Sequence, residues 1–259
     1  MTQITRRRGT QARHDAVVEL LRVGVDSVET LASRVGVSAS TLRRDLTRLQ
    51  RDGRIARTYG GAIVRDNFQE RSFNESALMN LEAKAAIAAA AVELIPARAT
   101  IFLDAGTTCL ALARVLTGRG PLTVVTRGLE CAVLLSRAAQ IDVVMLGGHV
   151  RPLSHGVVGP LSSMAFERLA FEVAFLGADS VDPVRGLGEP TAEEIYVKQQ
   201  AASRSGEVVL LADASKLGPA NLPVFLPLEP SWTLLTDAGI DAEPAKAFAA
   251  RGIRVLTAG

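Results

Sequence analysis

A short apolar run, Thr100–Leu103, ends in Asp104-Ala105-Gly106-Thr107-Thr108. Glycine lets a backbone approach a ligand closely, and two hydroxyls offer donors. A helix beginning at Thr108 would add unpaired backbone N–H groups. Together these make a cradle for an anion, phosphate above all. Asp104 would repel phosphate, so its role is a sugar hydroxyl or a hydrogen bond within the loop. Four more apolar runs end in polar residues: Thr126-Arg127, Gly147-Gly148 followed by Arg151, Gly177-Ala178-Asp179, and Asp213-Ala214-Ser215-Lys216. Each alone is ordinary turn chemistry. Five together at the carboxyl ends of parallel strands make a ligand edge.

Lysine usage points the same way. The chain has 25 arginines and four lysines, Lys84, Lys198, Lys216 and Lys246. A compact ammonium and a planar guanidinium are not interchangeable at tight sites. Lys198 and Lys216 are therefore expected as ligand or network groups. General-base chemistry would need a carboxylate at the substrate, and Glu193 or Glu194, with Asp179 and Asp182, is the available set. His14, His149 and His155 lack zinc-ligand spacing with one another or with Cys109 and Cys131. No metal or cofactor is expected, and two isolated cysteines in apolar surroundings fit a reducing compartment.

A second chemistry lies near the amino terminus, in Val37 to Arg57. Ser38 is a good N-cap, and Leu42, Leu46 and Leu49 form one apolar stripe. The other face carries Ser40, Thr41, Arg43, Arg44, Thr47 and Arg48. A short basic helix with an apolar back suits the DNA major groove. Ahead of it, Asp26 is expected to cap a helix bearing Val28, Leu31, Ala32 and Val35, with Glu29 completing a capping box. Gly36 turns the chain between the two helices. After Gly53, Ile55 to Gly61 reads as a small β wing on which Arg57 and Tyr59 point the same way.

The elements that must position these groups follow from periodicity. A first helix is expected over 12–21 and a polar linker over 63–77. A long alanine-rich helix should run from Leu78 to Ile95, where Pro96 stops it. Strands are then expected over 100–103, 122–126, 141–146, 173–176, 207–211, 232–235 and 254–256. Helices fall over 108–116, 129–138, 161–169, 192–203 and 244–251. Short apolar strands alternating with helices mean a parallel sheet covered on both faces.

The whole-chain balance is bland: 259 residues, 48% hydrophobic, 22% charged, net charge +2. Its distribution is not. Residues 1–61 carry 12 arginines against 6 acids, and the remainder carries 17 basic against 21 acidic groups. A basic head on an acidic body is the footprint of a DNA-binding module joined to another domain. No apolar run reaches the ~18 residues of a membrane-crossing helix. Arg6-Arg7-Arg8 is followed by no apolar core, so a secretory signal is not expected and the cytoplasm is.

Val37-Ser38, Thr41-Leu42-Arg43-Arg44-Asp45-Leu46, Gly53, Arg57 and Tyr59-Gly60-Gly61-Ala62 resemble the DNA-binding domain of DeoR-type bacterial transcriptional regulators. The resemblance implies that Ser38, Ser40, Thr41, Arg43 and Arg44 face DNA and that Arg57 anchors the wing. The later residues resemble that family's effector domain, which is related to ribose-5-phosphate isomerase and senses phosphorylated sugars. The matches include Lys84, Asp104 to Thr108, Thr126, Gly147-Gly148 with Arg151, Gly159, Gly177-Ala178, Glu194 with Lys198, and Asp213 with Ser215-Lys216. Three positions depart from the pattern. Arg127 stands where asparagine is usual, Ser180 replaces a glycine, and Gly188-Glu189 replaces glycine-threonine. The expected architecture is α/β: a winged helix-turn-helix over 1–62, then a mostly parallel, isomerase-like domain over 78–259. The expected function is a repressor of carbohydrate genes, as a homodimer or homotetramer on double-stranded operator DNA, relieved by a sugar phosphate. The alternative is a sugar-phosphate isomerase with a DNA-binding head. The isomerases' glycine-rich run before the acid is reduced here to Gly186-Leu187-Gly188.

Overall fold

In this computed structural model the described residues are 13–21, 27–51, 55–58, 61–64 and 70–259, with the backbone alone for 51, 56–58 and 61–64. They form two compact units divided between Gln69 and Glu70.

The first unit holds α1 (13–21), α2 (Val28–Arg34), α3 (Ala39–Arg51) and a hairpin of β1 (Ile55–Thr58) with β2 (Gly61–Val64). Ser27, in extended backbone, caps α2 by accepting the Thr30 N–H at 3.4 Å. Asp26, the expected cap, lies outside the described residues, and the cap position belongs to its neighbour. Gly36, at φ +69°, takes the left-handed turn that a side chain would strain. Ser38 then caps α3, its hydroxyl accepting the Thr41 N–H at 3.3 Å. Leu42, Leu46 and Leu49 are fully buried with Val17, Leu31 and Ile55. Each such leucine contributes roughly 1.5–3 kcal/mol by leaving water. The hairpin runs on to Val64, so the wing covers the start of the expected linker.

Residues 70–77 of that expected linker are also structured. Ser72 and Glu75 form a reciprocal capping box that starts α4 (Phe73–Ala77). The long helix expected from Leu78 to Ile95 starts three residues later, as Leu81–Ala91, and tightens into a 3-10 turn over Val92–Leu94. Asn80 adopts a left-handed conformation (φ 52°) between α4 and α5 (Leu81–Ala91). Lys84, one turn into α5, is buried and donates to Ser76 O and Met79 O at 2.5 and 2.7 Å. It adds a charged donor to the carbonyls that end α4, of which Ser76 O also accepts the Met79 N–H at 3.2 Å.

The second unit is built on seven parallel strands in the order β14-β13-β11-β8-β3-β4-β5. These are β3 (Thr100–Leu103), β4 (Leu122–Thr126), β5 (Ile141–Met145), β8 (Phe171–Leu176), β11 (Ser205–Leu211), β13 (Thr233–Asp237) and β14 (Arg254–Ala258). Alternate residues feed two cores. Ile101, Leu103, Val173 and Phe175 enter one, and Phe102, Ala174 and Leu176 the other. Buried on both faces, such strands read as apolar runs. Two antiparallel pieces were not expected: the hairpin β6–β7 (His149–Val150, Val157–Val158) and a sheet ordered β12-β10-β9 (Val224–Leu226, Gly186–Glu189, Ser180–Asp182). Their strands are two to four residues long, too short to show a period.

From β3 the chain moves outward through β4 and β5. It then returns to β8 and continues the other way. β3 and β8 thus flank the point where strand order reverses, the place where open α/β sheets bind ligands.

Candidate functional site

In the first unit, α3 presents two unlike faces. Ser38, Ser40, Arg43, Arg44 and Arg48 are exposed, and Thr41 is half-buried. Arg43 reaches Glu29 at 3.5 Å, a water-exposed pair of little worth that leaves the guanidinium available. The opposite face carries Asp45, which is buried and holds Arg13 at 2.7 Å and His14 at 3.1 Å. Burial alone would raise the Asp45 carboxyl, but Arg13 and His14 outweigh it and hold it below the usual range. Asp45 therefore clamps α1 to the back of α3. The side chain of Arg57 and all of Tyr59 lie outside the described residues.

In the second unit, a cleft opens where β3 and β8 end. Its wall includes Gly106, Thr107, Thr108, Asp179, Lys198 and Lys216. Gly106, at φ +106°, opens α6 (Thr107–Leu116) without a side-chain cap. The first N–H groups of the helix thus remain for a ligand. Lys216 donates to Ala178 O at 2.5 Å and stands 4.0 Å from Asp179.

Behind the cleft lies a buried charge cluster. Asp104 is fully buried. It accepts from Ala105 N at 2.8 Å, from Gly177 N at 3.1 Å, and from Arg127 and Lys198. Of its two expected roles, the loop hydrogen bond is the one the geometry shows. Burial would raise its carboxyl, and Arg127 with Lys198 hold it below the usual range instead. Glu194 is 1% exposed, pairs with Arg151 and lies 3.7 Å from Arg127. Arg151 also grips Glu70. Three cations, Arg127, Arg151 and Lys198, thus meet three acids, Glu70, Asp104 and Glu194. Glu189, 3.0 Å from Lys198, is the acid left over, and burial pushes it up to about 8.

Five expected ligand residues fall outside the cleft wall. Asp104 and Arg151 belong to the cluster. Thr126 accepts the Gly128 N–H at 3.0 Å and shapes the loop after β4. Gly147 accepts from Ser162 at 2.7 Å. A side chain at Gly148 would meet Val158 O at 2.4 Å, so that glycine permits a close turn. Of the cluster members, Glu70 and Glu189 were not expected as site residues, and Arg127 was read only as a strand-end residue at the ligand edge. The signal for Arg127 and Glu189 was present, because both depart from the family pattern. Gly156 carries the same message: a Cβ there would stand 2.4 Å from Arg127 Nη1. Among the described residues that Nη1 has no hydrogen-bond partner.

Of the carboxylates expected for general-base chemistry, Asp179 stands on the cleft wall with its carboxyl raised mainly by burial. Glu194 is clamped by two arginines and held below its usual range against the effect of burial, so it is a weak base. Glu193 is exposed and lies off the cleft, and Asp182 is committed to the N–H groups of Val184 and Arg185. Among the described residues no His, Cys, Asp and Glu group could hold a metal, and no helix is long and apolar enough to cross a membrane.

Residues 13–68 match the DeoR-like helix-turn-helix domain, and residues 79–238 match the DeoR C-terminal sensor domain. The HTH-type transcriptional regulator GlpR of Haloferax volcanii is 35% identical over 89% of this chain and 90% of that protein. The transcriptional repressor AccR of Agrobacterium fabrum is 32% identical over 89% and 90%. Ribose 5-phosphate isomerase A of Neisseria gonorrhoeae overlays 53% of this chain and 54% of its own at 24% identity. Its TM-score of 0.40 is too loose to carry a functional argument. With both domains matched in order, and relatives aligned along most of their length, the chain belongs to the DeoR family of helix-turn-helix transcriptional regulators.

Proposed function

We propose that the protein is a cytoplasmic repressor of carbohydrate genes that releases operator DNA when a phosphorylated sugar enters the cleft. The observation that carries this reading is the cleft itself. It lies at the strand-order reversal, with the uncapped start of α6 on one side and Lys216 on the other. The phosphate is assigned to Gly106-Thr107-Thr108, and Lys216 neutralises part of its charge. Ser38, Ser40, Thr41, Arg43, Arg44 and Arg48 are assigned to DNA, with Arg57 and Tyr59 on the wing. The names of relatives such as the putative aga operon transcriptional repressor of Escherichia coli O157:H7 support repression.

A ligand shifts DNA affinity only by its differential affinity for the two states, typically about 5- to 150-fold. By reciprocity, operator DNA must weaken effector binding by the same factor. Calorimetry with a panel of sugar phosphates, with and without operator, tests both halves. Thr107→Ala and Lys216→Ala should lose the response and keep DNA binding. Wild-type response in both variants would move the effector elsewhere. The same preparation should convert no pentose or hexose phosphate to its isomer. Turnover that vanishes in Glu194→Gln would overturn the regulator-only reading.

A further inference from the structure

Both carboxylate oxygens of Glu70 are held by one residue. Arg151 Nη1 donates to Oε1 at 2.8 Å and Nη2 to Oε2 at 2.7 Å. Paired parallel bonds of this kind are the strong form of carboxylate recognition. The side chains are 11% and 17% exposed, so solvent screens the pair little. Three residues on, Phe73 N–H donates to Leu153 O at 2.7 Å. The Phe73 ring is buried and stacks on His155 with centroids 5.1 Å apart. Arg151, Leu153 and His155 all belong to the turn between β6 and β7. Residues 70–73 are thus a strap clasped by that turn, and Glu70 and Phe73 also line the cleft. In the sequence the strap begins six residues after the wing strand ends at Val64.

The cluster gives the strap its meaning. Glu70 is one of the three carboxylates that pair with Arg127, Arg151 and Lys198, and Glu189 stands as a fourth acid beside Lys198. Withdrawing Glu70 leaves Arg151, whose side chain is 17% exposed, with Glu194 as its remaining carboxylate, and opens beside it a position that another anion can take. We propose that Glu70 holds an anion position of the effector cleft, and that an oxyanion group of the bound effector displaces it from Arg151 and frees the strap. This rests on the reading of the cleft as a sugar-phosphate site. It adds that the effector competes with the chain's own carboxylate. The strap is the covalent connection towards the DNA-binding unit, so its release makes occupancy of the cleft a change in the connecting segment.

The test uses the full chain, with inorganic phosphate and acetate as probes and chloride at equal ionic strength as the control. Calorimetry gives affinity, and hydrogen exchange reads the Phe73 amide. In the wild type, phosphate or acetate should speed exchange at Phe73 and chloride should not. The more effective probe names the displacing group. Glu70→Gln should exchange quickly without any anion and bind phosphate on the order of tenfold more tightly, within the usual span of coupled sites. Glu70→Asp keeps the charge but shortens the reach, and should fall between the two. A melting curve checks that each variant folds. Equal phosphate affinity in wild type and both variants, with Phe73 exchange unmoved, overturns the strap. It leaves the cleft reading intact if Thr107→Ala still abolishes the binding. If neither probe binds the wild type or Glu70→Gln, the strap and the cleft reading fall together.

Discussion

Glu189 shows how one side chain reports on its whole surroundings. Its carboxyl is raised to about 8 because burial outweighs the attraction of Lys198, which Asp104 already shares. Near pH 7 the native protein therefore holds a proton that the unfolded chain, with a value near 4.5, has released. A native state that binds more protons loses stability as pH rises. The loss begins near 4.5 and ends near 8, with a slope of at most about 1.4 kcal/mol per pH unit. Asp179, raised mainly by burial, acts in the same direction. Asp104 and Glu194 are lowered, so their contribution is lost only as pH falls below the ordinary carboxylate range. Glu189→Gln keeps an oxygen for Lys198 and removes the titration. Urea unfolding should find the variant close to wild type near pH 4.5 and more stable than it by up to about 3 kcal/mol at pH 7, because only the wild type loses stability over that range. It should also show a flatter decline between pH 5 and 8 than in the wild type. An unchanged slope would mean that Glu189 is ionised and that the three-to-three count is wrong.

At the scale of elements, α3 separates two jobs by face. Asp45 looks inward and fixes α1, while Arg43 and Arg44 stay exposed. Arg43→Ala or Arg44→Ala should cost about 1–3 kcal/mol on operator if the residue reads a guanine edge. A phosphate contact would weaken operator and random DNA alike and flatten the salt dependence. Titrations at several salt concentrations separate the two outcomes, and unchanged affinity in both variants removes α3 from the interface. The helix was legible because Ser38, three leucines and Gly36 obey local rules. The parallel strands were legible because burial on both faces leaves an apolar run. The antiparallel β9, β10 and β12 were not, since three or four residues show no period and their pairing is set by partners far along the chain. The later start of α5 escaped for a different reason. The helix was read as starting at Leu78, but Asn80 takes a left-handed conformation in which its amide donates to Asp213 at 2.9 Å and Ser215 at 3.1 Å, partners far along the chain. Of the site, the cleft wall at Gly106–Thr108 and Lys216 could be read from strand-end chemistry. Glu70 could not, because its partner Arg151 lies 81 positions away and nothing local in a polar stretch marks it.

At the scale of the whole molecule, affinity for DNA sets the assembly. One helix-turn-helix module buries only roughly 600–1,000 Å² on DNA, so a single copy should bind weakly. Two heads on one operator gain from effective concentration, an advantage of about 10²–10⁴ when the geometry fits. The fit is stringent, because half-sites must present the same face of the duplex, about 34–36 Å apart or a multiple of that. The protein is therefore expected to act as a homodimer or homotetramer. Adding five base pairs between the half-sites turns one of them to the far side of the duplex and should remove most of the gain. Adding about ten should restore much of it. Light scattering with the free protein and with each operator tests assembly and spacing together. A monomer in both states, or affinity indifferent to spacing, would mean that one head binds alone. The response to effector would then have to pass through a single strap rather than through the relative placement of two heads.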